Sequence, residues 1–354
     1  MIVNQWVPAA HRGDAVGDGI IVMRDLFRAW GHESEIYALS IDRDLRDEVR
    51  PWTGANVRQG DVTIYHYAVP SEMTPAFRTL PGARVLQYHN VTPAHFFADY
   101  DTGIFRVTSI GRRELGTLAD ATDLGLGDSE YNRQELEQLG FRHTDVLPVF
   151  VNTARLTGAP SVPVLEHVLQ DGFANILFVG RIAPNKKIED HLRMAEMYKR
   201  YSDSRYRFIF VGRSDAVPRY FAAIQALVTE YQMLPERFWF TGSVPDAELA
   251  AYYRHAHAYV SLSEHEGFCV PLVESMAMDV PILAYGAGAV PETLGGAGVC
   301  FTPKDLEYAA EMLAAIVYDE SLRRQLIAGQ RARLADFDGR RLEARLRSVL
   351  AAVA

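Results

Sequence analysis

The chain has 354 residues, 48% of them apolar, a soluble globular composition with room for two domains of roughly 100–200 residues each. The formal net charge is −9, and residues 1–150, with 14 Arg, no Lys and 21 Asp or Glu, carry most of it. That balance argues against a nucleic-acid binder. No run approaches the ~18 apolar residues of a membrane span, and Cys269 and Cys300 provide neither a disulfide framework nor a metal-ligand spacing.

The N-terminus has no basic region or cleavage site, so it reads as a first strand, and a cytoplasmic location is the default. Short apolar runs then alternate with helical patterns, the signature of βα units around a parallel sheet. Strands are expected at 2–7, 35–39, 62–67, 84–88, 124–127 and 146–151. The first helix is marked by Met23, Leu26, Phe27 and Trp30 at i, i+3, i+4, i+7, with Gly31 as its stop. Residues 153–171, with Pro160 and Pro163 among small residues, read as a linker. The rhythm restarts with strands at 176–180, 208–212, 238–242, 258–262 and 281–285, and three helices close the chain at 305–317, 321–334 and 340–353. The expected domains are therefore residues 1–155 and 172–338, with 339–354 a last helix packing back on the first. Arg323, Arg324, Arg331, Arg333, Arg340, Arg341, Arg345 and Arg347 face few acids. They read as a solvated helical face or as a peripheral contact with an anionic lipid surface.

Ligands of open α/β sheets bind beyond the C-terminal ends of the strands, so chemistry is sought there. The richest stretch runs Ser263-Glu-His-Glu-Gly-Phe-Cys-Val-Pro-Leu-Val-Glu274-Ser-Met-Ala. Pro271 suits the start of a helix. The backbone amides of Gly267, Phe268, Cys269, Val270 and Leu272 would point out of the helix N-terminus, a ready site for a diphosphate. Glu274, placed in the first turn, can accept two hydrogen bonds from a ribose diol or simply favour the helix dipole, and Glu266 can accept from sugar hydroxyls. A second string, Ile176-Leu-Phe-Val-Gly-Arg181-Ile-Ala-Pro-Asn-Lys186-Lys187, sets cations just after a strand, where they would stabilise a departing diphosphate.

The string Glu-Gly-Phe-x-x-Pro-Leu-x-Glu-x-Met-Ala resembles the donor signature of the retaining GT-B glycosyltransferases of family 4. The resemblance implies two doubly wound Rossmann-like domains with an interdomain cleft. It also implies transfer of a hexose from a UDP- or GDP-sugar to a glycan, lipid-linked or small-molecule acceptor, in polysaccharide or glycoconjugate biosynthesis. No cofactor or metal is implied beyond the donor itself. It gives Glu266 the donor sugar, Glu274 the ribose, Arg181 and Lys186 the diphosphate, and the main chain near Val244 the base. Cys269 departs from the pattern, standing where the family usually has Gly. Asp246 is expected to cap the following helix, and Arg213 either stacks on the base or is a plain surface residue.

In the front half, Pro8-Ala-Ala-His-Arg-Gly-Asp-Ala-Val-Gly-Asp-Gly19 follows the first strand. Gly17 and Gly19 look like close-approach residues to donor phosphate and acceptor, and Asp18 is a helix cap or an acceptor ligand. The spacing is not G-x-G-x-x-G, so a nicotinamide site is not indicated. His89, in Gln87-Tyr88-His89-Asn90, matches a histidine that the family uses near the donor sugar. Ser129 is the expected cap of the helix that follows it. Phe96, Phe97 and Tyr100, in the loop 92–101, are expected to wall the acceptor site or merely to pack. His11, His66 and His95 receive no role. Two other readings stay open: a nucleotide-sugar epimerase on the same scaffold, and a non-catalytic partner subunit of a transferase.

Overall fold

The computed structural model describes residues 1–353 except 12, 14, 55, 56, 203 and 204. The chain divides into two compact units. One comprises Met1–His95, Gly103–Val151 and the chain from Phe337 on; the other comprises Phe96–Thr102 and Asn152–Asp336.

The first unit holds strands β1 (Val3–Ala10), β2 (Ile36–Ile41), β3 (Arg50–Pro51), β4 (Val62–Tyr67), β5 (Ala83–Tyr88), β6 (Leu124–Gly127) and β7 (Thr144–Val146). They form one parallel sheet in the order β3-β2-β1-β4-β5-β6-β7, so the winding reverses between β1 and β4. Parallel sheets are covered on both faces, which is why β4 is buried at every residue and is mostly apolar and aromatic, with Thr63 and His66 as its buried polar members. One face packs Met23 and Phe27 of the helix Ala15–Ala29 against Val3, Val62, Ile64 and Val85. The C-terminal helix Gly339–Val353 joins this cluster through Leu342, Leu346, Val349 and Leu350, a spacing of i, i+4, i+7, i+8 that puts all four on one stripe.

The second unit holds β8 (Ala174–Val179), β9 (Tyr206–Val211), β10 (Phe238–Gly242), β11 (Ala258–Ser261), β12 (Ile282–Tyr285) and β13 (Val299–Phe301), all parallel. Their order, β10-β9-β8-β11-β12-β13, reverses between β8 and β11. Both units are thus doubly wound, as expected.

The structure departs from the expected elements at four places. The short edge strands β3 and β13 have no apolar run to announce them. The strand sought at 146–151 ends at Val146, because the chain turns away after the Leu147 amide bonds the Gly127 carbonyl. Residues 153–171 are not a free linker: they carry the helices Ala154–Thr157 and Pro163–Leu169 and belong to the second unit. Phe96–Thr102, expected among the front-half walls, groups with the second unit, where Tyr100 meets Tyr220 edge-on at 5.1 Å and Phe96 tilts against His265 at 6.3 Å.

In the basic C-terminal stretch more acids face the arginines than the sequence suggested. Arg324, Arg331, Arg333, Arg345 and Arg347 each pair with an acid (Glu320, Asp279, Asp336, Asp145 and Glu343), and Arg347 lies over the Trp30 ring. Among the described residues no helix is long and apolar enough to cross a membrane.

Candidate functional site

In the second unit β8 and β11 lie side by side where the sheet order reverses, so the loops leaving their C-terminal ends flank the position where such sheets bind ligands. Three strand ends there are glycines. Gly180 follows β8 at φ 153°, Gly212 follows β9 at φ 143°, and Gly242 ends β10 at φ 71°. A Cβ on Gly212 would lie 2.1 Å from the Gly180 carbonyl oxygen, so the two chain ends approach closely only because residue 212 has no side chain.

The loops after β8 and β11 are tied together by backbone. The Glu264 amide donates to the Asn185 carbonyl at 2.8 Å, and Asn185 Nδ2 donates to the His265 carbonyl at 3.2 Å. This sets Lys186 Nζ 2.6 Å from Glu266 Oε1, with only 18% and 9% of the two side chains exposed. Lys187, at φ 52°, starts the helix Ile188–Tyr198 and lies 3.4 Å from Glu264 and 3.5 Å from Glu189. Burial works against its charge, but the acids around it outweigh that and leave its pKa raised. Lys304 Nζ bridges Asp190 at 2.6 Å and Glu264 at 3.0 Å. Arg181 is exposed, and among the described residues no acid pairs with it. Arg213 is a surface residue that pairs with Asp215 at 3.0 Å.

Glu266 is also held from a loop that the sequence did not single out. The Ala289 amide donates to the Glu266 carbonyl at 2.9 Å, and Gly288, at φ 57°, packs so close that its Cβ would lie 2.4 Å from the same oxygen. The signal was present in Gly286-Ala-Gly288 directly after β12.

The helix Val270–Ala277 follows with Pro271 in its first turn. Cys269 precedes it at φ 71°, ψ 67°, a left-handed conformation that favours glycine, and its thiol is buried. Burial pushes that thiol well above the ordinary cysteine range. One of the amides expected to be open is not: Leu272 donates to the Cys269 carbonyl at 3.0 Å.

Glu274 is the fifth residue of this helix, beyond its first turn, and only 3% exposed. Its Oε1 accepts from the Arg155 guanidinium and its Oε2 from the Tyr253 hydroxyl at 2.9 Å. Burial raises the Glu274 pKa, and Arg155 offsets that only in part. Arg155 also binds Asp246. Asp246, expected to cap the helix Asp246–Arg254, is instead its first residue; Pro245 holds the cap position, with no side-chain cap bond. Sequence reasoning missed Arg155 because it lies in the segment read as a linker. Val244 is half-buried in the loop after β10.

In the first unit, Arg12 and Asp14 of the loop before the first helix lie outside the described residues. Gly17 is a close-approach residue, but to its own chain: a Cβ there would lie 1.8 Å from the His11 carbonyl oxygen, whereas Gly19 has nothing within 4 Å. Ser129 caps its helix as expected, accepting from the Asn132 amide. His89 offers no free ring nitrogen. Its Nδ1 lies 2.8 Å from Asp128 Oδ2 and its Nε2 lies 2.9 Å from His66 Nδ1. Both ring nitrogens are thus engaged within the first unit.

Residues 166–333 match the family model described as glycosyl transferases group 1. Over 219 residues, 60% of this chain and 56% of the relative, the chain is 25% identical to the O-antigen chain mannosyltransferase B of Escherichia coli. Over 118 residues, 33% of this chain and 27% of the relative, it is 36% identical to a GDP-mannose-dependent alpha-mannosyltransferase of Mycolicibacterium smegmatis. The chain thus spans about half the length of the first relative and less of the second. Among solved structures, HepE of Anabaena in complex with UDP-glucose superposes with a TM-score of 0.76 at 14% identity, covering 99% of each chain. That likeness is one of fold, two Rossmann-like domains of the GT-B kind.

Proposed function

We propose that this chain, whose residues 166–333 match the glycosyl transferases group 1 family model, moves a hexose from a nucleoside-diphosphate sugar to an acceptor hydroxyl with retention of configuration. The observation that carries the reading is the Lys186–Glu266 pair at the reversal point of the second sheet, ahead of the helix Val270–Ala277. A cation and a sugar-binding carboxylate side by side suit a group in which diphosphate and hexose are adjacent. Without a ligand each neutralises the other.

Each named group has one task in this reading. Arg181, Lys186 and the backbone at 267–270 take up charge on the leaving diphosphate. Glu266 orients the sugar, Glu274 the ribose, and the main chain at Val244 the base. Because both Glu274 oxygens are engaged, ribose has to share them with Arg155 and Tyr253 or displace one. The sugar C1–phosphate oxygen bond breaks, the acceptor oxygen bonds C1 on the same face, and the acceptor proton passes to the departing phosphate. No metal step is required, and we place the reaction in the cytoplasm. The names of the relatives favour a mannosyl donor, GDP-mannose first, with UDP-glucose second. The acceptor is a glycan or a lipid-linked glycan.

The test is incubation with a panel of UDP- and GDP-sugars and glycan or lipid-linked acceptors, with and without a chelator, reading the product anomer by NMR. Product with the donor's anomeric configuration supports the proposal. Release of free epimerised nucleotide-sugar without acceptor would support an epimerase instead.

A further inference from the structure

A line of buried polar side chains crosses four neighbouring strands of the first unit, starting within β1 and running at or just beyond the C-terminal ends of the other three. Gln5 is on β1 and His66 on β4; His89 directly follows β5 and Asp128 directly follows β6. All four are almost wholly shielded from solvent. The contacts run in sequence. Gln5 Nε2 donates to the Ile20 carbonyl at 2.9 Å. Gln5 Oε1 is 3.0 Å from His66 Nε2, His66 Nδ1 is 2.9 Å from His89 Nε2, and His89 Nδ1 is 2.8 Å from Asp128 Oδ2. The second Asp128 oxygen accepts from Gln87 Nε2 at 3.1 Å.

Counting hydrogens gives the line a direction. The Ile20 carbonyl can only accept, so the Gln5 amide must turn its NH₂ to it and its oxygen to His66. That oxygen can only accept, so His66 Nε2 must carry a hydrogen. A neutral His66 then has a bare Nδ1, which must receive a hydrogen from His89 Nε2. A neutral His89 protonated there has a bare Nδ1, and that lone pair would face the Asp128 carboxylate at 2.8 Å. The last link therefore needs one more proton, either on His89 as an imidazolium or on Asp128 as an acid. The line has three links and two neutral imidazoles supply only two hydrogens. An unmade link in so buried a place leaves a polar group desolvated and without a partner, which is unfavourable, and more so when a charge is involved.

We infer that Gln5, His66, His89 and Asp128 form one directional hydrogen-bond array, started by the Ile20 carbonyl, in which His89 and Asp128 share a single proton and His89 is fixed as a donor through Nε2. Gln5 and His66 are positioning residues, acting only through the tautomer they impose. Burial pushes the His66 pKa well below its ordinary value, which agrees with the neutral ring the count requires. One consequence rests on the transferase reading: His89 is not the base for the acceptor hydroxyl, because its Nε2 already holds a hydrogen. The array itself does not depend on that reading.

The experiment is a ¹⁵N–¹H long-range correlation spectrum of histidine-labelled protein at pH 7 without ligand. Single His66→Gln and His89→Gln variants assign the two rings. The array requires protonated Nε2 and bare Nδ1 on His66, and protonated Nε2 on His89 with its Nδ1 shifted toward the protonated position. In Gln5→Met the acceptor is lost, and His66 is free to carry its hydrogen on Nδ1 instead. The His89 Nε2 signal then moves to the bare position. A bare Nε2 on His89 in the unaltered protein overturns the inference, as does a folded Gln5→Met protein with both ring patterns unchanged. If Gln5→Met does not fold, Asp128→Asn serves: its amide can donate to His89 Nδ1, so that nitrogen alone becomes fully bare. No substrate enters any arm, so failure here leaves the transferase proposal standing.

Discussion

Replacing Arg155 by Met tests how Glu274 is kept charged inside the second unit. Glu274 is 3% exposed, and its partners are the Arg155 guanidinium and the Tyr253 hydroxyl. Removing one partner of a buried pair costs about 3–5 kcal/mol, because the charge left behind is uncompensated. Tyr253 still donates here and the Arg155 side chain is 20% exposed, so the lower end, about 3 kcal/mol at pH 8, is expected. For a unit of this size that is a fall in Tm of roughly 6–12 °C. The pH dependence follows from the sign of the shift. Glu274 has its folded pKa raised above the unfolded value, so folding favours its protonated form. Its penalty is absent below the unfolded pKa and grows as pH rises toward the folded pKa. Without Arg155 the folded pKa rises further. The variant's deficit relative to the parent therefore shrinks toward pH 5 and is largest at pH 8. Adding Glu274→Gln removes the charge and should recover most of the loss at pH 8. Thermal melts of parent, single and double variants at both pH values decide it. A deficit that does not change with pH, or a double variant less stable than Arg155→Met, refutes the reasoning.

Three other outcomes are expected. Lys186→Ala should lower turnover about 100-fold, the scale of one lost charge-stabilising donor, while donor Kd changes by less than about 10-fold; steady-state and binding measurements separate the two. Gly212→Ala, with a Cβ 2.1 Å from the Gly180 carbonyl oxygen at φ 143°, should cost more than about 2 kcal/mol, whereas Gly19→Ala, with nothing within 4 Å and a helical position, should match or exceed parent stability by up to about 1 kcal/mol. If Gly19 is a close-approach residue for the donor, that stable variant nevertheless binds donor more weakly. A thiol reagent at pH 8 should modify the exposed Cys300 in the native protein and reach the buried Cys269 only after denaturation; modification of both without denaturant would contradict the burial.

The longer strands, of four residues or more, were the legible ones. Residues 62–67, 124–127 and 238–242 are expected and observed with the same bounds. The edge strands β3 and β13 escaped because a strand of two or three residues, partly exposed, has no pattern. Lys186 and Glu266 could be named because each follows a strand within a glycine-marked string, and the topology brings the two strings together. Arg155 could not, since its role exists only where a short helix, the Asp246 helix and Glu274 meet. Gly17 and Gly19 look alike in sequence; only the position of the His11 carbonyl separates them. His66 has no role in the sequence reading because its partners, Gln5 and His89, come from one other strand and the end of another, a relation that no local spacing encodes.

The central claim, that this chain binds a nucleoside-diphosphate sugar through Lys186 and Glu266, is tested most directly by melting the purified protein against UDP, GDP, ADP, TDP and their sugar conjugates. Ligand at about 100 times Kd should stabilise by about 2.7 kcal/mol, a rise of roughly 5–11 °C. The account predicts such a rise with one base, GDP first, larger for the conjugate than for the diphosphate. Lys186→Ala should diminish both rises, and Glu266→Gln only the added rise due to the sugar. No rise with any of these ligands, or a rise that both variants retain in full, would contradict it.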